Sequence, residues 1–264
     1  MRSCLWRMIP MKTNKLKSYL KNERGSGTLL IMVGMVLAAI FFGLLFFDFS
    51  NVFINKRVTQ TGADAAAIAA AKTANDYMKD ELQTKTQEEL DNLGEEWEKF
   101  LEEALGDLEE EEEGEEDGDE GEETPPPDPP STEELLDLFV DMKETVMGKS
   151  MPGDVRAWLL NHSVSVKALT AMKFFFDDEE VNEMSCKVVR EHLGDAREEA
   201  EEYAEKNQND HVTEFTFIPE DFRIYVETDR SGKYTTVPDK EVPAVTSESS
   251  AKIGDPEGYT ISCS

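Results

Sequence analysis

The chain has 264 residues, and 57 acidic against 27 basic residues give it a formal net charge of −30. So acidic a surface repels phosphates, which excludes nucleic acid as a partner. The charge is unevenly distributed: residues 1–28 carry seven Lys or Arg and one acidic residue, whereas the rest of the chain carries 20 basic and 56 acidic residues. An asymmetry of this kind bears on membrane topology and on partners rather than on fold.

An apolar run follows the basic segment. Residues 29–47 read LLIMVGMVLAAIFFGLLFF and contain no charge. A helix of this length rises by about 28 Å, close to the hydrocarbon thickness of a bilayer. The alternative is a cleaved secretory signal, but such signals have an apolar region of about 7–15 residues that ends in small residues, whereas this run ends in Phe46 and Phe47. We therefore predict an uncleaved transmembrane helix in contact with membrane lipid.

The flanking charges predict the orientation of this helix. Basic residues precede the run and Asp48 follows it. The positive-inside rule then places residues 1–28 in the cytoplasm and the remainder outside. We expect a single-pass protein of the cell membrane whose C-terminal part is extracytoplasmic.

Residues 48–106 are predicted to continue the membrane helix on the extracytoplasmic side. The segment contains no proline, and eight alanines lie between Gln60 and Ala74. Alanine is the strongest helix former. A smooth alanine face also lets a second helix approach closely, so the run has two interpretations, an ordinary helix or an assembly surface.

A linker is predicted over residues 107–130. Residues 107–123 include 13 acidic residues in 17, and five prolines follow within residues 125–130. Like charges repel, and this segment has little apolar surface to bury, so we expect it to be disordered. The proline-rich end is expected to be stiff and extended.

Residues 131–264 are predicted to form an α+β region. Ser131-x-x-Glu134 is the signature of a capping box and predicts a helix start. Longer helices are predicted over about 154–176 and 179–206, where apolar residues recur at helical spacing. Alternation then predicts strands at 212–218 and 222–227, with a return strand at 233–237 after a turn. The predicted fold class is thus membrane-anchored α+β: a long N-terminal transmembrane helix continuing outside the membrane, a disordered spacer, then helices with a small antiparallel sheet.

Three cysteines are present. Cys4 precedes the apolar run, whereas Cys186 and Cys263 both follow it. Those two could form a disulfide if their compartment is oxidising, and two unpaired thiols are the alternative.

No set of residues in the sequence indicates catalysis. The three histidines, at positions 162, 192 and 211, are not at metal-ligand spacing with cysteine or with one another. Gly148-Lys149-Ser150 resembles the end of a Walker A loop, but the glycine that this loop needs earlier would fall on Lys143. We predict no catalytic residue, no cofactor, no metal site and no small-molecule substrate, and hence not an enzyme.

One series of residues resembles a known family. Glu23-Arg24-Gly25 precedes the apolar run, Asp48 follows it, and the alanine-rich stretch contains Ala63-Asp64-Ala65-Ala66-Ala67. This order and spacing are similar to the N-terminal module of the TadE/TadG-like proteins, which resemble pilins and accompany the Flp (tight adherence, Tad) pilus system. The likeness covers about residues 22–72. Cleavage by a prepilin peptidase is not expected, because the glutamate that such processing uses five residues after the glycine is here Leu30.

The resemblance implies a bacterial envelope protein with a structural or assembly role in a Flp-type pilus, as a minor pseudopilin-like component. Its partners would be other pilus or Tad secretion-system membrane components, bound through the N-terminal helix. An alternative function remains open: a membrane-anchored extracytoplasmic binding or sensor module with no pilus role.

Overall fold

The computed structural model describes residues 26–113, 130–236, 238 and 242–263. Six α-helices and three β-strands lie within these residues. In chain order they are α1 (Ser26–Glu113), α2 (Thr132–Met147), α3 (Gly153–Leu160), α4 (Ala168–Phe175), α5 (Asp178–Glu191), α6 (Leu193–Lys206), β1 (His211–Ile218), β2 (Arg223–Arg230) and β3 (Val245–Lys252).

The chain divides into two compact units. The first comprises Met1–Arg57 with Arg230–Val245, and the second comprises Val58–Asp229 with Thr246–Ser264. Helix α1 contributes to both. The first unit holds the apolar run, and the second holds the folded core.

Helix α1 contains the whole apolar run and the whole alanine-rich stretch, so the long N-terminal helix is confirmed. Every residue from Gly27 to Phe47 is exposed. Among the described residues, α1 is the one helix that is long and apolar enough to cross a membrane, and none of its most apolar window is buried.

Helix α1 also extends further than the sequence predicts. It ends at Glu113, so it includes residues 107–113, for which disorder is expected. Glutamate is a good helix former, and an existing helix extends without a new nucleation step. The remainder of the predicted spacer, residues 114–129, lies outside the described residues.

The larger of two hydrophobic clusters surrounds the alanine-rich part of α1. Ala66, Ala70 and Ala74 are each fully buried, and Met78 continues the same face one turn later. Packed against this face are Val181 and Val189 of α5, three alanines of α6, and the inward-facing residues of the sheet. Alanine side chains hold neighbouring elements close, because the distance between packed helices depends on side-chain size.

A second cluster lies further along α1. Leu90, Leu93 and Trp97 pack there against α2, α3 and α4. Trp97 and Phe139 lie with their ring centroids 5.3 Å apart. Helix α2 begins with the predicted capping box: Glu134 N–H donates to Ser131 Oγ at 3.3 Å and Ser131 N–H donates to Glu134 Oε2 at 2.7 Å.

The sheet has three strands in the order β1-β2-β3. Strands β1 and β2 are antiparallel, with Phe215 opposite Val226. Phe222, Ile224 and Val226 are fully buried, so alternate residues face the core, as the sequence pattern predicts. The predicted small antiparallel sheet is thus confirmed.

Two predicted helices are each split in the structure. The first is interrupted at residues 161–167, where the Asn161 side-chain oxygen accepts a hydrogen bond from Ser163 N–H at 3.0 Å. Asparagine and serine favour such turns, because their side chains replace backbone partners. The second is divided at His192, which ends α5 and begins α6 with a φ of −103° and a ψ of 17°.

The third strand is also not where the alternation predicts it. Residues 233–236 form a loop, and β3 is instead the polar sequence Val245–Lys252. The amides of Thr235 and Thr236 donate to the carboxylate of Asp48, so they are not available to a neighbouring strand. Arg223 and Tyr225 of β2 reach Ser250 and Glu248 of β3, respectively, which sets the register of this antiparallel pair.

A disulfide bond joins Cys186 of α5 to Cys263, with the two Cα atoms 5.7 Å apart. The bond links residues that are 77 positions apart. Cys186 and Cys263 are both buried in the larger hydrophobic cluster.

Replacing both half-cystines, Cys186→Ser with Cys263→Ser, is expected to lower the free energy of unfolding by about 4 kcal/mol. A cross-link over a loop of this length restricts the unfolded chain strongly. Urea unfolding of the full chain in detergent measures the change, with Cys4→Ser as the matched control expected to have little effect. Equal stability of the double variant and the unaltered protein would contradict this role for the bond.

Candidate functional site

The residues of the family-like motif fall in different surroundings. Glu23, Arg24 and Gly25 lie outside the described residues. Asp48 and Ala63–Ala67 lie on α1, the first in the unit that holds the apolar run and the others in the unit that holds the core. The structure therefore gives these two parts of the motif separate local roles.

Asp48 anchors a loop beside the end of the apolar run. Its carboxylate accepts hydrogen bonds from Thr235 N–H and Thr236 N–H, each at 2.7 Å, and from the Thr236 hydroxyl. The aspartate is almost fully buried. The residue that follows the apolar run is thus the hydrogen-bond acceptor for two backbone amides, 187 and 188 positions further along the chain.

These donors also determine the charge state of Asp48. The hydroxyl of Thr236 and the amide of Thr235 hold the pKa of the Asp48 carboxyl below its ordinary value. A lowered pKa means that the contacts favour folding at neutral pH and lose strength as the pH falls through the lowered value. The loop is therefore held by a carboxylate that stays ionised under ordinary conditions.

Three of the four alanines of the motif are buried inside the protein itself, and Ala65 is half-buried. Ala63 and Ala66 are fully buried and Ala67 is 1% exposed. They pack against other elements of the same unit, so this face of α1 is not available to a second protein. Of the two interpretations of the alanine run, the structure favours tight packing within the chain over an external assembly surface.

The opposite face of the same turns is open to solvent. Asp64 is exposed and accepts a hydrogen bond from the Gln60 side chain at 3.0 Å. Ile68 is 62% exposed. The motif thus combines a buried alanine face with an exposed face that carries Asp64.

Gly62, just before the motif alanines, lies against a buried asparagine. Asn209 is 4% exposed, and its side-chain amide donates to the Thr59 carbonyl at 3.0 Å and to Thr228 Oγ1 at 2.6 Å. A Cβ at position 62 would lie 2.2 Å from Nδ2 of Asn209. Only glycine leaves room for this contact between α1, β2 and the end of α6.

The backbone that presents Asn209 is unusual. Gln208 has a φ of +66°, in the left-handed region that non-glycine residues seldom adopt. This conformation terminates α6 and lets Asn209 N–H donate to the Ala204 carbonyl at 2.9 Å. Asn209 therefore both caps α6 and ties it to α1.

Sequence reasoning missed Gly62, Asn209 and the two threonines that bind Asp48. The only signal for Asn209 was the Asn-Gln-Asn-Asp sequence after α6, which is typical of a helix end. The described residues contain no group of three or more His, Cys, Asp or Glu side chains that could hold a metal ion. The arrangement that the structure does show is suited to holding elements together.

We expect Gly62→Ala to lower the free energy of unfolding by about 1 kcal/mol, the balance of a loss and a smaller gain. The new methyl group must displace the Asn209 amide, and a buried donor that loses its partner costs about 1–3 kcal/mol. The helix propensity of alanine offsets part of this loss, by about 1 kcal/mol. Gly106→Ala is the matched control, since no atom lies within 4 Å of a Cβ added there. Chemical unfolding of both variants should show destabilisation at position 62 only, and equal behaviour would refute the close contact.

Comparisons with known proteins identify one similarity. Residues 25–73 match the model of a family described as "Putative Flp pilus-assembly TadE/G-like". The match includes Gly25, Asp48 and the motif alanines, and it begins after Glu23 and Arg24. No curated protein and no solved structure matches the chain. The resemblance predicted from the sequence is thereby confirmed, and from residue 25 to residue 73 the chain is similar to the Flp pilus-assembly TadE/G-like family.

Proposed function

We propose that the protein is a structural or assembly component of a bacterial Flp-type pilus system, as a minor pseudopilin-like member, anchored in the cell membrane by residues 29–47. The observation that carries this proposal is the coincidence of a TadE/G-like match at residues 25–73 with a helical apolar run that is wholly exposed. Its partners are other membrane components of the pilus or of the Tad system, and its role is non-enzymatic.

The exposure of the apolar run supports a membrane anchor. Its large side chains are 40–74% exposed, from Leu44 and Leu45 at the lower limit to Leu30 at the upper. Each apolar side chain of this size left in water forgoes about 1.5–3 kcal/mol relative to burial. A run of 19 residues with 15 such side chains is compatible with a lipid environment or with contacts to other apolar helices, and not with water.

The disulfide supports the predicted orientation. Disulfides persist in oxidising compartments such as the periplasm or the cell exterior and are rare in the cytosol. Cys186 and Cys263 both follow the apolar run and are bonded to each other. This agrees with a cytoplasmic tail at 1–28 and an extracytoplasmic portion after residue 47.

The burial of the alanine run supports different roles for two parts of α1. The motif alanines stabilise the protein's own core, so they leave the apolar run as the part of α1 that can meet partner helices within the bilayer. Such contacts would use the small residues of this run, among them Gly34 and Gly43, where an added Cβ would have no described atom within 4 Å apart from the adjoining helix backbone.

Orientation can be tested by labelling spheroplasts with a membrane-impermeant maleimide. We expect Cys4 to remain unlabelled until the membrane is permeabilised. Glu198→Cys, at an exposed position of α6, is expected to be labelled at once. Immediate labelling of Cys4 together with protection of the introduced thiol would reverse the proposed topology.

The anchor and the pilus role can be tested together. Leu37→Arg with Ile40→Arg places two charges near the middle of the apolar run. Each charge raises the free energy of membrane insertion by about 2.5–3.5 kcal/mol. We expect this variant to lose carbonate-resistant membrane association, whereas Ile68→Arg, at an exposed apolar position of the same helix outside the run, retains it.

In the source bacterium, deletion of the gene should abolish surface fibres, and the unaltered gene but not the doubly charged variant should restore them. Normal piliation in the deletion strain would count against the proposal.

A further inference from the structure

A cavity of about 390 Å³ lies beside α1 just past the end of the apolar run. One wall is the helix face formed by Phe47, Asn51 and Asn55, which recur every four residues. The other wall is the end of β2 with the loop that follows it: Arg230 is the last residue of the strand, and Lys233 and Tyr234 are in the loop. All six residues belong to the same compact unit.

Two contacts hold the loop in place. Asp48 binds the amides of Thr235 and Thr236, as described above. Asn51 Nδ2 donates to the Lys233 carbonyl at 3.5 Å. The cavity is therefore built by hydrogen bonds from two consecutive turns of α1.

The charge around the cavity is opposite to that of the rest of the protein. Val58–Asp229 together with Thr246–Ser264 contains 53 acidic and 15 basic residues. The other unit, Met1–Arg57 with Arg230–Val245, contains four acidic and 12 basic residues, and seven of the basic ones lie in the tail at 1–28. The unit that contains the apolar run is thus net positive, and two of its basic residues, Arg230 and Lys233, line the cavity.

The position of the cavity along α1 matches the headgroup layer of a bilayer. The lining helix residues, from Phe47 to Asn55, span about 12 Å at ~1.5 Å per residue. The polar layer on each side of the hydrocarbon core is about 5–8 Å thick. With Phe47 at the hydrocarbon edge, Asn51 would lie about 6 Å further out, within this layer, and Asn55 about 12 Å further out, beyond it.

We propose that this cavity binds the phosphate-containing headgroup of an anionic phospholipid, such as phosphatidylglycerol. Arginine offers paired N–H donors that fit phosphate oxygens, and lysine adds a compact positive charge. The asparagine amides and the tyrosine hydroxyl supply neutral donors for the glycerol and phosphate oxygens. The cavity volume falls in the usual range for small-ligand sites, and Phe47 offers an apolar edge for the start of the acyl chains. The inference rests on the membrane anchoring proposed above.

The experiment is native mass spectrometry of the full chain in detergent, titrated with phosphatidylglycerol or phosphatidylcholine. We expect the first bound lipid to be phosphatidylglycerol, with a clear preference over phosphatidylcholine. A basic residue near a membrane surface contributes about fivefold to anionic lipid affinity, so Arg230→Gln with Lys233→Gln should weaken this first site by about 25-fold. The conservative pair Arg230→Lys with Lys233→Arg is expected to retain most of the preference, which separates loss of charge from loss of fold.

A matched control removes the same charges elsewhere. Lys187→Gln with Arg190→Gln takes one lysine and one arginine from α5, and it should leave the first site unchanged. The basic tail at 1–28 is present in every variant, so its own attraction for anionic lipid cancels from the comparison. Absence of a phosphatidylglycerol preference, or an equal loss in the control pair, would overturn the inference.

Inorganic phosphate distinguishes a lipid site from a free-phosphate site. If phosphate, at the same concentration as phosphatidylglycerol, displaces that lipid from the first site, the cavity recognises the free anion and the lipid proposal is wrong. Carbonate extraction of the same protein from vesicles reports separately on the anchor. A chain that stays in the membrane without lipid preference contradicts only this inference, whereas a chain that is extracted contradicts the proposed anchoring.

Discussion

The fold of the larger unit depends on the small side chains along one face of α1. Ala66, Ala70 and Ala74 let α5, α6 and the sheet approach the helix closely, and Gly62 permits the closest contact, with the Asn209 amide. A larger side chain at any of these positions would have to displace a packed neighbour, since protein interiors have few voids. The hydrogen bonds of Asn209 to Thr59 and Thr228 exist only because this spacing is kept.

The elements with strong periodicity were predictable, and those determined by long-range hydrogen bonds were not. The apolar run, the capping box at Ser131 and the alternation at Phe222–Val226 depend on local chemistry, which a single sequence displays. The loop at residues 233–236 is held by Asp48, which accepts hydrogen bonds from the amides of Thr235 and Thr236, 187 and 188 positions further along the chain. A loop fixed in this way has no local signature, and the polar sequence of β3 lacks the alternation that would have indicated it.

The candidate site likewise combines residues that the sequence identifies with roles that only the structure shows. The family-like residues could be chosen from the sequence because their order and spacing are distinctive, but their roles could not. The alanine run has the composition of either a core or an interface, and only the packing of α5 and α6 against it distinguishes these. Asp48 could be read only as a charge after an apolar run, whereas in the structure it is the ligand of a remote loop. Asn209 gave no signal beyond a helix end, because its hydrogen-bond acceptor on α1, the Thr59 carbonyl, is 150 positions earlier in the sequence.

The disulfide has a mechanical consequence. Cys263 is near the C-terminal end of the chain, and all three strands lie between it and Cys186 in sequence. Tension applied at the last residues therefore passes through a covalent bond directly into α5, and from there into the alanine face of α1, while the strands bear none of it. Under a pulling force, this path through the disulfide would keep the three strands from being unfolded one after another.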